Sequence, residues 1–566
     1  MRTKTRQTQL LLMIASVAEI LGLGGIVAQE RPQYGGELNI GTVYVTLSAL
    51  SWDPVDWTWK SNHDVGLVRE QLFSGDLNKG VRRGGDYTFV AEAYLPTEVL
   101  RGELAESWDW EDELTLVVNL RRGVMFPEKP GVMAAREFVA DDVIYTFNLV
   151  NNSPKKAQQD YWDYIDRLEA RDDHTLAFHF NQYNAEWAYR FGYGYQSSIT
   201  APELENVDAK DWRNLLGTGP FDLSRYIHGN SHVYTRRDTY WDHEEYQGVQ
   251  YRLPYVDRVK YRIIKDEATY LTALRTGKVD ILESIRWIAV DHLKKTTPEL
   301  TWSRWLGMTG NFIALRLDHE PFKDHRVRRA LNLAVNQKEI VELFYGGHAE
   351  LMAYPQHPGF GDYFQPLEEM PGEVQELFTY DPEKARALLR EAGYPNGFTF
   401  KVQVCSCSPS NMDLLPLIES YLGDVGVKIE IQPMEYASFL SAMTTRTHGP
   451  GYFMNNGHTN PTTSLRKFIT GHKWNPALLE REQFDAEIKR LMRMPKEEDR
   501  IQLARELTVD LLAFAPYIWL PTEYVYTAWW PWVKNYAGEL RAGAVRPGPI
   551  YARIWLDQQL KKELGF

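Results

Sequence analysis

Strand, helix and strand signals succeed one another between Phe398 and Gln432, and this order limits the fold more than any other feature of the chain. The stretch Phe398–Cys405 alternates apolar and polar residues, a helical pattern runs from about Asp413 to Val425, and a second strand pattern covers Val427–Gln432. Two strands joined by a helix lie parallel, and a parallel strand needs apolar cover on both faces. Layered α/β lobes are therefore expected, not a bundle or an all-β barrel.

The same alternation recurs along the chain. A strand is expected at Gly36–Gly41, and two more lie between Leu104 and Phe126 with a turn at Glu111-Asp112-Glu113. Val139, Val143, Ile144 and Phe147 are spaced as one face of a helix, with Asp141 and Asp142 in its first turn, where acids complement the helix dipole. Gly217-Thr-Gly-Pro-Phe221 punctuates the chain before further strands near Val233 and Tyr261. Helices are expected from about Asp266 to Thr276, with Gly277 as its stop, as a pair over 324–347, and over 381–394 behind an Asp cap with Pro at the first helical position. At roughly 150 residues per domain, 566 residues suggest three to four domains. No internal repeat or low-complexity tract is present.

Charge and composition narrow the function. The formal net charge is −13, and an acidic surface repels phosphate backbones, so nucleic acid is not an expected partner. Arg2, Lys4 and Arg6 precede an apolar stretch from Leu10 to Ala28, which reads as a signal peptide over 1–28 with cleavage after Ala28. Glu19 inside that stretch would cost a spanning helix about 2–3 kcal/mol, which favours cleavage over a retained anchor. No Cys lies near the cleavage point, so the mature chain is expected in the periplasm or another extracytoplasmic space without a Cys-linked lipid. The two cysteines, Cys405 and Cys407, fall at i and i+2 of a strand pattern, a spacing too wide for a relaxed bridge; two buried, reduced thiols are expected. No cofactor and no metal site is expected, because no His lies near the Cys pair and no His cluster occurs elsewhere. No P-loop, Gly-x-Ser-x-Gly or His-Glu-x-x-His motif points to an enzyme.

Six blocks then carry a resemblance. They are Leu104–Phe126, Phe138–Phe147, Gly217–Asp242, Leu274–Ile281, Pro321–Val341 and Tyr380–Phe398. In this order they resemble the family 5 extracellular solute-binding proteins, the peptide- and nickel-binding receptors of ABC importers. The resemblance implies a two-lobed periplasmic-binding-protein fold with a discontinuous first lobe (35–75 with 215–309 and 518–566), an inserted domain (76–214) and a second lobe (310–517). It implies crossings near Gly307-Met-Thr-Gly310 and Phe514–Trp519, closure by a hinge, a membrane permease as partner and a monomeric receptor. A ligand sensor or chaperone on the same scaffold is the alternative, with a secreted glycosidase behind it.

Cleft-matching segments nominate ligand-binding residues: Trp57 and Trp59 in the first loop, Glu283, Arg286 and Trp287 after "GKVDI", Tyr436, and Trp519 on the return crossing. Peptide receptors of the family carry Trp-x-x-Asp, whose Asp pairs with the α-ammonium of the peptide. The matching positions here are Met454 and Gly457, followed by His458 and flanking Asn455 and Asn456. Amides without a charge beside flat aromatics suit a neutral polar solute, so an oligosaccharide is expected alongside an oligopeptide as the captured oligomer.

Overall fold

The computed structural model describes residues 31–44, 52–56, 59–155, 162–457 and 460–566. The segment expected to be a signal peptide lies outside the described residues. Among the described residues no helix is long and apolar enough to cross a membrane.

Two large sheets carry the architecture. The first has eight strands, in the order Phe221–Ile227, Ser231–Arg236, Arg258–Ile263, Glu37–Thr42, Ile281–Arg286, Thr522–Trp529 and Thr301–Leu306, with Ala349–Glu350 added against Thr522–Trp529. Its central strand, Glu37–Thr42, runs parallel to both neighbours, and its edges are antiparallel. The second sheet has five strands, in the order Lys428–Met434, Thr399–Cys405, Gly451–Gly457, Thr309–Leu315 and Tyr517–Trp519. The first three of these are parallel. A four-stranded antiparallel sheet, built from Ala105–Asp112, Thr115–Leu120, Thr175–Phe180 and Ile165–Asp172, carries the helix Ala140–Asn151. The expected mixed α/β fold is therefore present, and the β-α-β unit at 399–434 closes around the helix Pro409–Asp424.

Local chemistry sets the helix ends. Asp266 accepts from the Thr269 amide at 2.8 Å to start Glu267–Arg275, and Asp381 accepts from the Lys384 amide at 2.9 Å to start Pro382–Glu391. Each cap satisfies an amide that the first turn leaves without a partner. The helix His325–Leu333 is followed by a short turn of helix at Gln337–Glu339, which widens over Ile340–Phe344 before Gly346 and Gly347 enter the left-handed region.

One apolar core extends from the eight-stranded sheet into the four-stranded one, joining Ile40, Tyr261 and Ile281 to Leu116, Phe147 and Phe178. Two further cores flank the five-stranded sheet, one around Phe312 and Tyr517, the other around Ile313 and Val402. The two lobes are joined where Leu306 leads to Thr309 and where Trp519 leads to Thr522. Trp519 pairs with Phe312 and so belongs to the five-stranded sheet. Gly310 has an ordinary backbone; a Cβ there would meet Tyr354 Cβ at 2.3 Å, so glycine serves a close approach at this crossing.

The cysteine expectation is corrected. Cys405 and Cys407 form a disulfide, with Cα atoms 5.1 Å apart. The strand ends at Cys405, and Ser406 and Cys407 lie in a turn. Two extended residues would span about 6.6 Å, whereas the turn folds Cys407 back, and its amide donates to Cys405 Sγ at 3.1 Å.

Candidate functional site

Parallel strands place their C-terminal ends on one edge of a sheet, where ligands of open α/β folds collect. In the first lobe this edge carries Tyr44, beyond the strand Glu37–Thr42, and Glu283, the residue of Ile281–Arg286 that follows its last parallel pair, Gly41 with Leu282. In the second lobe it carries Gly457, Cys405 and Tyr436. The two edges face each other. Trp59 opens the helix Trp59–Val65, its ring lies edge-on to Tyr44 at 4.9 Å, and its indole N–H interacts with the phenol oxygen of Tyr436 from the opposite lobe. Tyr44 is 47% exposed, yet burial pushes its phenol pKa up, opposed by Arg541 and reinforced by Glu283 and Glu523. Both facts hold for a side chain lining an interior cleft.

Glu283 enters the cleft through a strand irregularity. Its strand shifts register between Leu282 and Ile285, and Ser284 takes φ 59°, in the left-handed region. A bulge of this kind re-aims a side chain at a sheet edge. Tyr551 donates to Glu283 Oε1 at 3.0 Å. Burial raises the Glu283 pKa, against the charges of Arg541 and Lys60 and the Tyr551 hydroxyl. Behind it, the Tyr261 hydroxyl meets His63 Nε2 at 3.2 Å, and His63 Nδ1 meets Asp64 Oδ1 at 3.2 Å. Lys60 pairs with Asp64. Burial, helped by the Lys60 charge, pushes the His63 pKa down to about 4, so the imidazole is neutral at pH 7. Burial works to raise the Asp64 pKa, but Lys60 and His232 outweigh it and hold the carboxyl well below its ordinary range.

The other nominated residues take structural places. Arg286 donates to Glu267 Oε2 at 2.7 Å and to Asp413 Oδ2 at 3.2 Å, so its guanidinium ties the lobes together. Trp287 packs on Tyr345 at 4.8 Å, across the same junction. Trp519 is 2% exposed and packs beside Tyr517 at 5.1 Å. Asn455 Oδ1 accepts from Asn411 Nδ2 at 2.5 Å. The backbone of Asn456 pairs with Gly310. Trp57 and His458 lie outside the described residues.

Three groups that sequence reading missed complete the site. Tyr195 donates to Glu92 Oε1 at 2.7 Å, and Glu92 Oε2 lies over Gly457. Ser410 donates to Glu523 Oε2 at 2.5 Å, and burial raises the Glu523 pKa against that hydroxyl and Arg286. Arg541 NH1 donates to the Val90 carbonyl at 3.3 Å, while its buried Nε has no hydrogen-bond partner among the described residues. Among those residues Arg541 makes no ion pair with a carboxylate, and Glu92, Glu283 and Glu523 make none with a cation. A buried charge left without a partner is expensive. Among the described residues no group of three His, Cys, Asp or Glu could hold a metal ion.

Comparison with known sequences identifies the family. The profile "Bacterial extracellular solute-binding proteins, family 5 Middle" matches residues 99–472, about two thirds of the chain. The chain belongs to this family. Among its relatives, heme-binding protein A of Haemophilus influenzae is 27% identical over 463 residues, covering 76% of this chain and 81% of that one. Di/tripeptide-binding protein 1 of Pseudomonas aeruginosa is 29% identical over 415 residues, covering 69% and 71%. The fold of this family 5 chain matches that of the periplasmic binding protein DppA of Helicobacter pylori, solved with the peptide STSA, at a TM-score of 0.75 and 23% identity over 93% of this chain and 99% of that one. The expected two-lobed fold and the class of solute-binding protein are thus established, and the named relatives are binding proteins.

Proposed function

We propose that this chain is the extracytoplasmic binding subunit of an ABC importer and that its solute is a short peptide with free termini. The carrying observation is Arg541: its guanidinium shares the cleft with Glu92, Glu283 and Glu523 yet pairs with none of them. Opposite charges held apart on a rigid frame match a zwitterion, whose ammonium and carboxylate complete both sets at once; such complementarity fixes orientation and rejects mismatched solutes. Two relatives named for di/tripeptides and dipeptides support the same class. The aromatic group Tyr44, Trp59 and Tyr436 favours a second reading, an oligosaccharide stacked on ring faces.

The reading includes export with removal of residues 1–28, a monomeric receptor and delivery to a membrane permease. It keeps the division into a discontinuous first lobe, an insert at 76–214 and a second lobe, with the return crossing set at Leu520-Pro521, since Trp519 pairs within the second sheet. Calorimetry should show trialanine binding, with affinity falling at least about tenfold when either terminus is blocked. Binding of cello- or malto-oligosaccharides together with no response to peptides would establish the second reading instead.

A further inference from the structure

Gly457 has no conformational reason to be glycine. It lies in the strand Gly451–Gly457, paired opposite Thr309, and its φ is not in the left-handed region. The reason is space: a Cβ at this position would come within 2.1 Å of Glu92 Oε2, 3.0 Å of Glu92 Cδ and 3.2 Å of Glu92 Oε1. A carboxylate from a distant segment therefore occupies the room that a side chain on this strand would fill.

Glu92 is built into that position. Ala91 is buried in the second-lobe core, and Tyr94 packs on Phe360 at 5.1 Å, so the segment is pressed onto the second lobe. The Val545 amide donates to the Glu92 carbonyl at 2.9 Å, fixing the backbone from the C-terminal side. Tyr195 takes one carboxylate oxygen. The other, Oε2, has no donor among the described residues and retains its capacity to accept. Lys467, 8% exposed, donates to the Gly457 carbonyl beneath, and the Glu92 carboxylate supports its charge. An acceptor on a carboxylate, desolvated on one side and aimed across a cleft, is what an ammonium requires.

We propose that Glu92 is the residue that selects the cationic end of the solute, its carboxylate taking the place of the side chain that the strand lacks at Gly457. The anchor then joins two bodies: the carboxylate comes from the first-lobe side and its seat from the second lobe, so it is complete when the lobes are together. This inference rests on the peptide reading above, and it makes Glu92 a specificity determinant distinct from Glu283.

The test is a carboxylate swap read by calorimetry against trialanine and N-acetyl-trialanine, with melting curves of each peptide-free variant as a folding control. Glu92→Gln should lose at least about thirtyfold in affinity for trialanine and less than about threefold for the acetylated form. Gly457→Asp alone should also lose affinity, because the new side chain meets Glu92 sterically and by like charge. The double variant Glu92→Ala/Gly457→Asp should regain most of the loss, since it returns one carboxylate to the same place from the strand itself. Wild-type affinity for trialanine in Glu92→Gln would overturn the inference while leaving the peptide reading intact, and a large loss in Glu283→Gln under that outcome would move the anchor to Glu283. A wild-type protein that ignores trialanine would overturn both. Failure of the double variant to recover, with its melting unchanged, would also count against the swap.

Discussion

Replacing Arg546 with Met is expected to destabilise the protein by about 3–5 kcal/mol, the usual cost of stranding one member of a buried ion pair. Arg546 is 0% exposed. Its two terminal nitrogens reach Glu103 at 2.6 and 3.1 Å, Gln71 Oε1 at 3.1 Å and the Arg69 carbonyl at 3.1 Å. It thereby ties the C-terminal segment to the chain that leaves the helix Trp59–Val65. Glu103 sits close to a second buried acid, Glu70, whose pKa is pushed up to about 8 by burial and by the Glu103 charge. Without the guanidinium, Glu103 faces that neighbour with no cation, and Met fills the volume without supplying one. Adding Glu103→Gln should recover part of the loss, because it removes the stranded charge. Urea unfolding followed by Trp fluorescence measures both; a loss below about 1 kcal/mol in the single variant would show that this cluster does not hold the segments together.

The second large effect concerns binding. Arg541→Gln should weaken trialanine binding by about 2–4 kcal/mol, roughly thirty- to a thousandfold, because it removes the cation proposed for the carboxylate end in a desolvated cleft. Its influence on Glu283, Tyr44 and Tyr195 places this charge among the cleft groups. The same variant should bind trialanine amide about as well as wild type does, since the amide presents no charge to lose. Calorimetry on the four combinations gives the coupling directly. Equal losses for acid and amide would show that Arg541 acts by holding the Val90 loop, through its 3.3 Å bond to that carbonyl, and not by contacting the solute.

Much of the frame was legible because it is local. Apolar spacing announces the helix Ala140–Asn151, Asp caps announce Glu267–Arg275 and Pro382–Glu391, and the β-α-β order announces the parallel part of the second sheet. Tyr436 and Trp59 were also within reach, since both open helices at sheet edges. The charges of the cleft were not. Glu92 lies in a stretch with no periodicity, and Gly457 lies hundreds of residues away, so Gly457 read as a missing anchor with no sign in the sequence that the Glu92 carboxylate fills the space over it. Arg286 read as a ligand contact, but its donors are taken by Glu267 and Asp413, acids on two other helices. The cysteine pair failed for a different reason: alternation gives no warning of where a strand stops, and the turn after Cys405 decides whether two sulfurs can meet.

A crystal structure of the protein with trialanine tests the central claim most directly. The peptide ammonium is expected within hydrogen-bond distance of the Glu92 carboxylate over Gly457, and the peptide carboxylate on the Arg541 guanidinium. A peptide lying in the opposite direction, or one that leaves both Glu92 and Arg541 without contact, would contradict it.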